Sequence, residues 1–307
     1  MHHTRARPSR ARIVSIGLAM VVAGTVQLGC HSPRPTGGPA ASRAPTLVGV
    51  SVQPRAGEDY RAALAATEDR YGSVDVIRYF DPDLPNSWAD IESLVGDHPV
   101  VVSFKAPPSE VLRGADDDYL RSWFAQAPRD KRTWWSYLPE PEDAVDTGSY
   151  TASDFRAAWR RIDGLATQAD NPRLISTLTL MCYTLSPASG RDWHDFYPGG
   201  AYVDVMGWDC YNSGYRKRNY TAPADIFGQA LRLSESLGKP WAIPETGSLL
   251  VDGDSGAGRA RWITDLIDYA RAHHAQFLTF FDADTGRDYR LHDKASQQAL
   301  VAGIDGG

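Results

Sequence analysis

Cysteine is scarce in this chain of 307 residues, and the common metal and nucleophile motifs are missing. The three cysteines include no Cys-x-x-Cys pair, which argues against a zinc ribbon. Neither Gly-x-Ser-x-Gly nor His-x-x-x-His occurs, so a serine hydrolase of that type and a helical zinc site are not indicated. A phosphate-binding loop would need Gly-Lys-Ser/Thr, which is also absent. The sequence therefore predicts no metal ion and no organic cofactor.

Positive charge is not in excess either, since the formal net charge is −6. Residues 1–29 contain four arginines and no acidic residue, so the remainder of the chain carries about −10. This balance argues against nucleic acid as a partner and suits a neutral polymer.

The first 30 residues have the three-part pattern of a bacterial export signal: arginines, an apolar run over Ile13–Leu28, and then Gly29-Cys30. Cys30 is a candidate for lipidation, although the match to a lipobox is partial. A secreted protein cut nearby and an uncleaved membrane anchor are the alternatives. Residues 31–45, rich in Pro, Gly, Ser and Arg, predict a flexible linker. Each alternative places the domain at 46–307 outside the cytoplasm, extracellular or at the cell surface.

From Thr46 onward, strand-like and helix-like runs alternate. The predicted strands cover 47–52, 74–80, 100–104, 133–138, 174–181, 203–208, 241–243 and 277–281, and the predicted helices cover 58–70, 88–95, 116–126, the run after the N-cap Thr151, 224–237, 257–272 and 294–301. Eight strands that alternate with helices in this way match a single-domain (β/α)8 barrel. A doubly wound sheet is the rival, but no glycine-rich turn follows the first strand.

The active site of such a barrel lies at the C-terminal ends of its strands, where this sequence places carboxylates and aromatic residues. Glu140 and Glu245 each follow a strand-like run, and two carboxyl groups on one rim indicate glycoside hydrolysis. Sugars stack their C–H faces on aromatic rings and bind polar side chains through their hydroxyls. The candidate substrate-binding residues are Tyr137, Trp193, Trp208, Asp209, Tyr211 and Asp282.

Three segments resemble glycoside hydrolase family 26. They are Tyr137-Leu-Pro-Glu-Pro-Glu-Asp143, Val203-Asp-Val-Met-Gly-Trp-Asp-Cys-Tyr-Asn212 and Lys239-Pro-Trp-Ala-Ile-Pro-Glu-Thr-Gly-Ser248. The resemblance, which spans about 46–303, implies a retaining β-glycanase barrel of a mostly β-mannanase family. It implies Glu140 as acid/base, Glu245 as nucleophile and Tyr211 as a hydrogen-bond partner of the nucleophile. Pro139 departs from the His usual in that family, and proline cannot donate a hydrogen bond.

Structural alternatives exist for these residues. Glu140 and Glu142 could form an exposed acidic turn, and Glu245 could be the buried partner of an arginine. We expect Glu142 and Asp143 to be solvated rim residues. Trp134 and Trp135 alternate along one strand, so one should face the barrel interior and the other the helices.

Cys182 and Cys210 follow strands five and six, which are neighbours in this barrel. The sequence predicts a disulfide between them in an oxidising compartment, with two buried thiols as the alternative.

These observations together predict an exported, monomeric glycoside hydrolase that cleaves a β-linked polysaccharide or oligosaccharide, mannan-like or glucan-like, by a retaining double displacement. The alternative is a catalytically silent barrel that binds glycan at the cell surface.

Overall fold

Eight parallel strands close into one barrel in chain order, because β1 pairs with both β2 and β8. The computed structural model describes residues 44–55, 57–213 and 219–306. Within these ranges the strands are β1 Leu47–Ser51, β2 Ile77–Asp81, β3 Val100–Phe104, β4 Thr133–Tyr137, β5 Leu174–Met181, β6 Val205–Asn212, β7 Trp241–Ser248 and β8 Phe277–Phe281. The predicted (β/α)8 barrel is confirmed. The export signal, Cys30 and the linker up to residue 43 lie outside the described residues.

Helices follow the strands and cover the outside of the barrel. They are α1 Tyr60–Tyr71, α2 Trp88–Val95, α3 Pro108–Arg113, α4 Asp117–Ala125, α5 Glu142–Asp146, α6 Ala152–Thr167, α7 Pro223–Ser236, α8 Ala257–Ala272 and α9 Lys294–Asp305. Thr151 caps α6, and its hydroxyl and the Asp154 carboxylate exchange hydrogen bonds with each other's backbone N–H. None of the helices in the described ranges is both long and apolar enough to cross a membrane.

The sequence does not predict α3 or α5, because helices of six and five residues show too little apolar periodicity. The strands predicted from the sequence at 203–208 and 241–243 also end too early. β6 extends to Asn212 and β7 to Ser248, so Asp209, Tyr211 and Glu245 belong to strands rather than to the loops that follow them.

The barrel interior is built in layers, since alternate residues of each strand point inward. The layer nearest the N-terminal ends is apolar and comprises Val76, Val101, Trp134, Val205, Ala242 and Phe277. Two residues further along the strands the buried residues are polar, among them Arg78, Ser103, Ser136 and Thr279. Trp135 points the other way and stacks on Trp159 of α6, so the expectation for this tryptophan pair is confirmed. The polar layer forms the floor beneath the strand ends.

Candidate active site

A strained turn directly after β4 presents Glu140. Leu138 and Glu140 both have left-handed backbone, with φ of 44° and 54°, which is costly for residues other than glycine. The Leu138 N–H donates to the Phe104 carbonyl at 2.8 Å and the Glu140 N–H to the Thr179 carbonyl at 3.1 Å. These two bonds tie the turn to β3 and β5. They hold Glu140 at the barrel mouth in a conformation that it would not adopt alone.

A bulge in β7 presents Glu245. The β7–β8 register shifts between Ile243 and Thr246, and Pro244, which has no N–H to donate, lies at the irregularity. The Pro244 carbonyl accepts a hydrogen bond from the Thr279 hydroxyl of β8. A Cβ at Gly207 of β6 would lie 2.7 Å from Pro244 Cγ, so glycine is needed there for close packing. The bulge turns the Glu245 side chain toward the barrel mouth.

Glu140 and Glu245 line the same cavity, of about 730 Å³, at the C-terminal ends of the strands. The structure thus brings together the two carboxyl groups that lie about a hundred residues apart in sequence. The other lining residues include Gln53, Arg78, Phe80, Lys105, Pro139, Asp143, Tyr211, Phe281, Arg287 and Tyr289.

Arg78, a residue of β2, lies beneath this cavity with only 2% of its side chain exposed. Its Nη1 is 2.8 Å from Glu245 Oε1 and 3.3 Å from Asp209 Oδ2, and its Nε donates to the Ser103 hydroxyl at 3.1 Å. Burial opposes the charge on Arg78, but the two carboxylates outweigh it and raise its pKa. The guanidinium is therefore a fixed positive charge under the site.

Tyr211 donates from its hydroxyl to Glu245 Oε2 at 2.7 Å. Burial, followed by the negative charge of Glu245, raises the pKa of Tyr211 well above its ordinary value, so the phenol keeps its proton. Because Arg78 contacts the other oxygen, both oxygens of Glu245 are held. The carboxylate is oriented on two sides, which suits a nucleophile.

Glu140 has different surroundings. Among the described residues, no hydrogen bond reaches its carboxyl oxygens. Burial and then the charge of Glu245 raise the pKa of Glu140 to about 7, against the opposing effect of Arg78. A substantial fraction of Glu140 is therefore protonated at neutral pH, which suits a general acid.

Several predicted substrate contacts are wrong. Trp208 is fully buried and donates to the Ser234 hydroxyl of α7 at 2.9 Å. Tyr137 is also fully buried and stacks on Phe155 of α6. Both side chains point from their strands toward the helices, so neither can reach a sugar.

Asp209, Asp282 and Trp193 also lie away from the cavity lining. Asp209 is buried and pairs with Arg78, so it belongs to the floor of the cavity and does not face a bound sugar. Asp282 binds Arg70, the Tyr71 hydroxyl and the Leu291 N–H, all outside this cavity. Trp193 lies in a short 3-10 helix between β5 and β6 and packs on Tyr197.

The expectation that Glu142 is solvated is wrong as well. Glu142 is fully buried, and its Oε1 accepts from the Met181 N–H at 2.9 Å and the Thr184 hydroxyl at 2.8 Å. It therefore ties the start of α5 to the end of β5. Asp143 is exposed as expected, and it pairs with Arg191 at the cavity edge.

Arg78, which contacts both Glu245 and Asp209, is not among the site residues predicted from the sequence. The available signal was a lone arginine within the apolar run Val76-Ile-Arg-Tyr-Phe80. A buried arginine requires a carboxylate partner, and such a position therefore indicates a charged cluster in the barrel.

The structure joins Cys182 and Cys210 in a disulfide, with their Cα atoms 5.2 Å apart. The bond links the residue after β5 to a residue within β6. Because Tyr211 follows Cys210 directly, the disulfide also restrains the strand segment that carries the Glu245 partner.

A cavity of about 700 Å³ lies at the opposite end of the barrel, lined by Arg132, Trp241, His273 and Gln276 among others. These residues adjoin the N-terminal ends of strands, a location that serves stability in this fold. Among the described residues that line this cavity, Glu235 is the one acidic residue, and we do not assign the cavity as the active site.

The sequence matches known proteins over part of its length. The model of glycosyl hydrolase family 26 matches residues 151–243. A mannan endo-1,4-beta-mannosidase of Bacillus subtilis is 41% identical over 68 residues, which make up 22% of this chain and 16% of that enzyme. Residues 151–243 of this chain therefore resemble that family. The family match contains Tyr211 but ends short of Glu140 on one side and Glu245 on the other, so the placement of the two glutamates rests on the geometry above.

Solved structures share the fold of this barrel. A GH26 β-mannanase from Bacteroides ovatus superposes with a TM-score of 0.52 at 13% identity, over 85% of this chain and 88% of that one. An exo-β-1,4-mannosidase from Opitutaceae bacterium strain TAV5 gives a TM-score of 0.60 at 12% identity, over 85% of this chain and 59% of that one. At these identities the likeness concerns the fold.

Proposed function

We propose that this protein is a retaining glycosidase that hydrolyses a β-linked polysaccharide or oligosaccharide. One observation carries the proposal: two carboxyl groups line one cavity in opposite surroundings. Glu245 is held by Arg78 and Tyr211. Glu140 has a pKa raised to about 7 by burial and by the charge of Glu245. Two carboxyl groups in such different surroundings can serve as a general acid and a nucleophile.

In the first step Glu140 would protonate the glycosidic oxygen while a Glu245 oxygen attacks the anomeric carbon. The carbon–oxygen bond to the leaving group breaks and a glycosyl ester on Glu245 forms. In the second step the Glu140 carboxylate takes a proton from water, whose oxygen attacks the anomeric carbon and releases Glu245. Arg78 and Tyr211 orient Glu245 for its attack on the anomeric carbon.

The comparisons favour mannan as the first polymer to test. The Bacillus subtilis relative is a mannan endo-1,4-beta-mannosidase, and the Bacteroides ovatus structure is of a GH26 β-mannanase. The polymer is a proposal for this chain, because the matched segment is a small part of the relative. A mixed-linkage glucan remains the second substrate class.

A catalytically silent, glycan-binding barrel is the second candidate, and Pro139 favours it. Proline replaces the histidine usual in the family before the acid/base, so a polar side chain is lost next to Glu140. This candidate predicts binding without release of reducing ends.

The location outside the cytoplasm belongs to the same proposal. It rests on the arginine-rich start, the apolar run over Ile13–Leu28 and Cys30. Mass spectrometry of the mature N-terminus tests it. A lipid-modified Cys30 supports surface anchoring, whereas an unmodified terminus beyond residue 30 contradicts lipidation and supports secretion.

The activity is tested by incubating the mature protein with mannan, xylan, mixed-linkage glucan and cellulose and measuring reducing ends. Glu245→Ala and Glu140→Gln should lose turnover, whereas Glu92→Ala, on the exposed side of α2, should keep it. Proton NMR of the first-formed product should show the β anomer. Turnover that persists in Glu245→Ala, or a first-formed α anomer, contradicts the mechanism.

A further inference from the structure

A second cavity, of about 650 Å³, adjoins the first on the Glu140 side. The two cavities share Lys105, Pro139 and Glu140 in their linings, whereas Glu245 lines only the first. The second cavity is bounded by the end of β4, α3 and the segment from α5 to the start of α6. It therefore continues the cleft beyond the acid, away from the nucleophile.

The chemistry of the proposed reaction assigns a side to each cavity. Glu245 bonds to the anomeric carbon, so the sugar that is transferred occupies the first cavity. Glu140 protonates the departing oxygen, so the leaving group extends from Glu140 into the second cavity. This assignment rests on the proposed function.

The walls of the second cavity are mainly apolar. The apolar and aromatic lining residues include Pro107, Pro108, Leu112, Leu138, Pro139 and Tyr150. Leu112 is 37% exposed and is one of the few exposed large apolar side chains in the described residues. A volume of several hundred cubic ångströms with apolar walls is typical of sites for small, largely apolar groups.

The polar side chains that line the second cavity are Lys105, Ser109, Glu140, Ser149 and Asp154. The Asp154 carboxylate is already engaged by the Thr151 hydroxyl at 2.7 Å in the cap of α6. Pro139 has no N–H and lies at the border between the cavities. A sugar hydroxyl that loses water here without a partner would weaken binding.

We infer that the second cavity binds an apolar leaving group, so that the protein cleaves β-glycosides of alkyl or aryl alcohols in addition to the sugar–sugar bonds of the proposed function. Leu112 and Tyr150 would cover the alkyl or aryl group on the α3 and α6 sides. Pro139 would contact it next to the glycosidic oxygen. Pro139, at the position where the family usually has His, would thereby contribute to the choice of substrate.

The inference is tested with methyl and octyl β-mannosides and β-glucosides and with the matching β-1,4-linked disaccharides. Methyl and octyl alcohols have similar leaving-group acidity, so a difference between them reports apolar contact. We expect the octyl glycoside to exceed the methyl glycoside in kcat/KM by at least about tenfold. Leu112→Ser should lower the octyl-to-methyl ratio by about three- to tenfold. Leu250→Ser is the matched control, because Leu250 is 40% exposed and lines neither cavity, and it should leave the ratio unchanged.

Calorimetric binding of the same glycosides, below the micelle concentration of the octyl compound, separates this inference from the proposed function. Turnover without a preference for the octyl over the methyl glycoside overturns the inference and leaves the glycosidase. Octyl glycoside binding that weakens in Leu112→Ser supports the apolar site even if no glycoside is hydrolysed. If the protein shows neither turnover nor preferential binding of the octyl glycoside, the inference and the proposed function are both overturned.

Discussion

Arg78 Nη1 lies 2.8 Å from Glu245 Oε1, so a side chain from β2 reaches inside the barrel to the carboxylate of β7. The same guanidinium is 3.3 Å from Asp209 Oδ2 on β6. One buried cation thus serves two acidic residues from neighbouring strands. Arg78 positions Glu245, and its removal should affect both stability and turnover.

Replacing Arg78 with Met should destabilise the protein by about 3–5 kcal/mol, because the buried Asp209 carboxylate and Glu245 lose their cation. Urea unfolding measures the change. Arg113→Met is the control, since Arg113 is 67% exposed and pairs with Glu110 on the surface of α3. That change should cost less than about 1 kcal/mol. Equal losses in the two variants would contradict the role of the buried cation.

Tyr211→Phe should lower kcat/KM by about ten- to a hundredfold, the effect of one lost hydrogen bond to a charged group. The expected cause is a misoriented Glu245, since the Tyr211 hydroxyl donates to Oε2 at 2.7 Å. Tyr220→Phe provides the comparison, because its hydroxyl binds Asp254 away from the cavity. Steady-state kinetics on the best substrate decides, and a Tyr211→Phe variant as active as Tyr220→Phe would refute the assignment.

Glu140→Gln should gain stability relative to the parent as pH rises. The folded chain holds the Glu140 proton up to a pKa of about 7, against an ordinary value of 4.5. The native state therefore binds more protons between these values, and the stability contributed by Glu140 is present at low pH and is lost as pH rises through about 7. Glutamine removes this loss, so the difference in Tm between variant and parent should grow from pH 4.5 to 7 and then level off. Calorimetric Tm values with Glu92→Gln as control measure it, and a difference that shrinks with pH would contradict the raised pKa.

Removing the disulfide with Cys182→Ala and Cys210→Ala should cost about 3–4 kcal/mol, since it closes a loop between residues 28 apart in sequence. Turnover should also fall, because Tyr211 adjoins Cys210. Denaturant unfolding and kinetics of the double variant test both effects. A thiol titration of the unreduced, denatured parent that finds both Cys182 and Cys210 free would reject the bond itself.

The fold and part of the site could be predicted from local patterns. Alternating apolar runs of strand and helix length determine a barrel, and a carboxylate at the end of such a run locates Glu140 and Glu245 on the rim. The role of Tyr211 could be predicted from its place at the C-terminal end of β6 together with the family resemblance. These features depend on residues that are close in sequence.

The rest of the site could not be predicted from the sequence, because it depends on which way each side chain points. Trp208 and Asp209 are adjacent in β6, so one faces the helices and the other the interior, and the direction is set by barrel closure. Glu142 is buried only because its carboxylate meets the Met181 N–H and the Thr184 hydroxyl, about forty residues later. The partners of Arg78 lie on strands far from it in sequence. No local pattern reports such contacts.

The most direct test of the central claim is to identify the residue that forms the glycosyl ester. The protein is inactivated with the 2-deoxy-2-fluoro β-glycosyl fluoride of whichever sugar it turns over, digested, and mapped by mass spectrometry. We expect one added glycosyl group, on the Glu245 side chain within its peptide, and no label in Glu245→Ala. A label on Glu140 or on any other residue, or turnover that proceeds without an ester on Glu245, would contradict it.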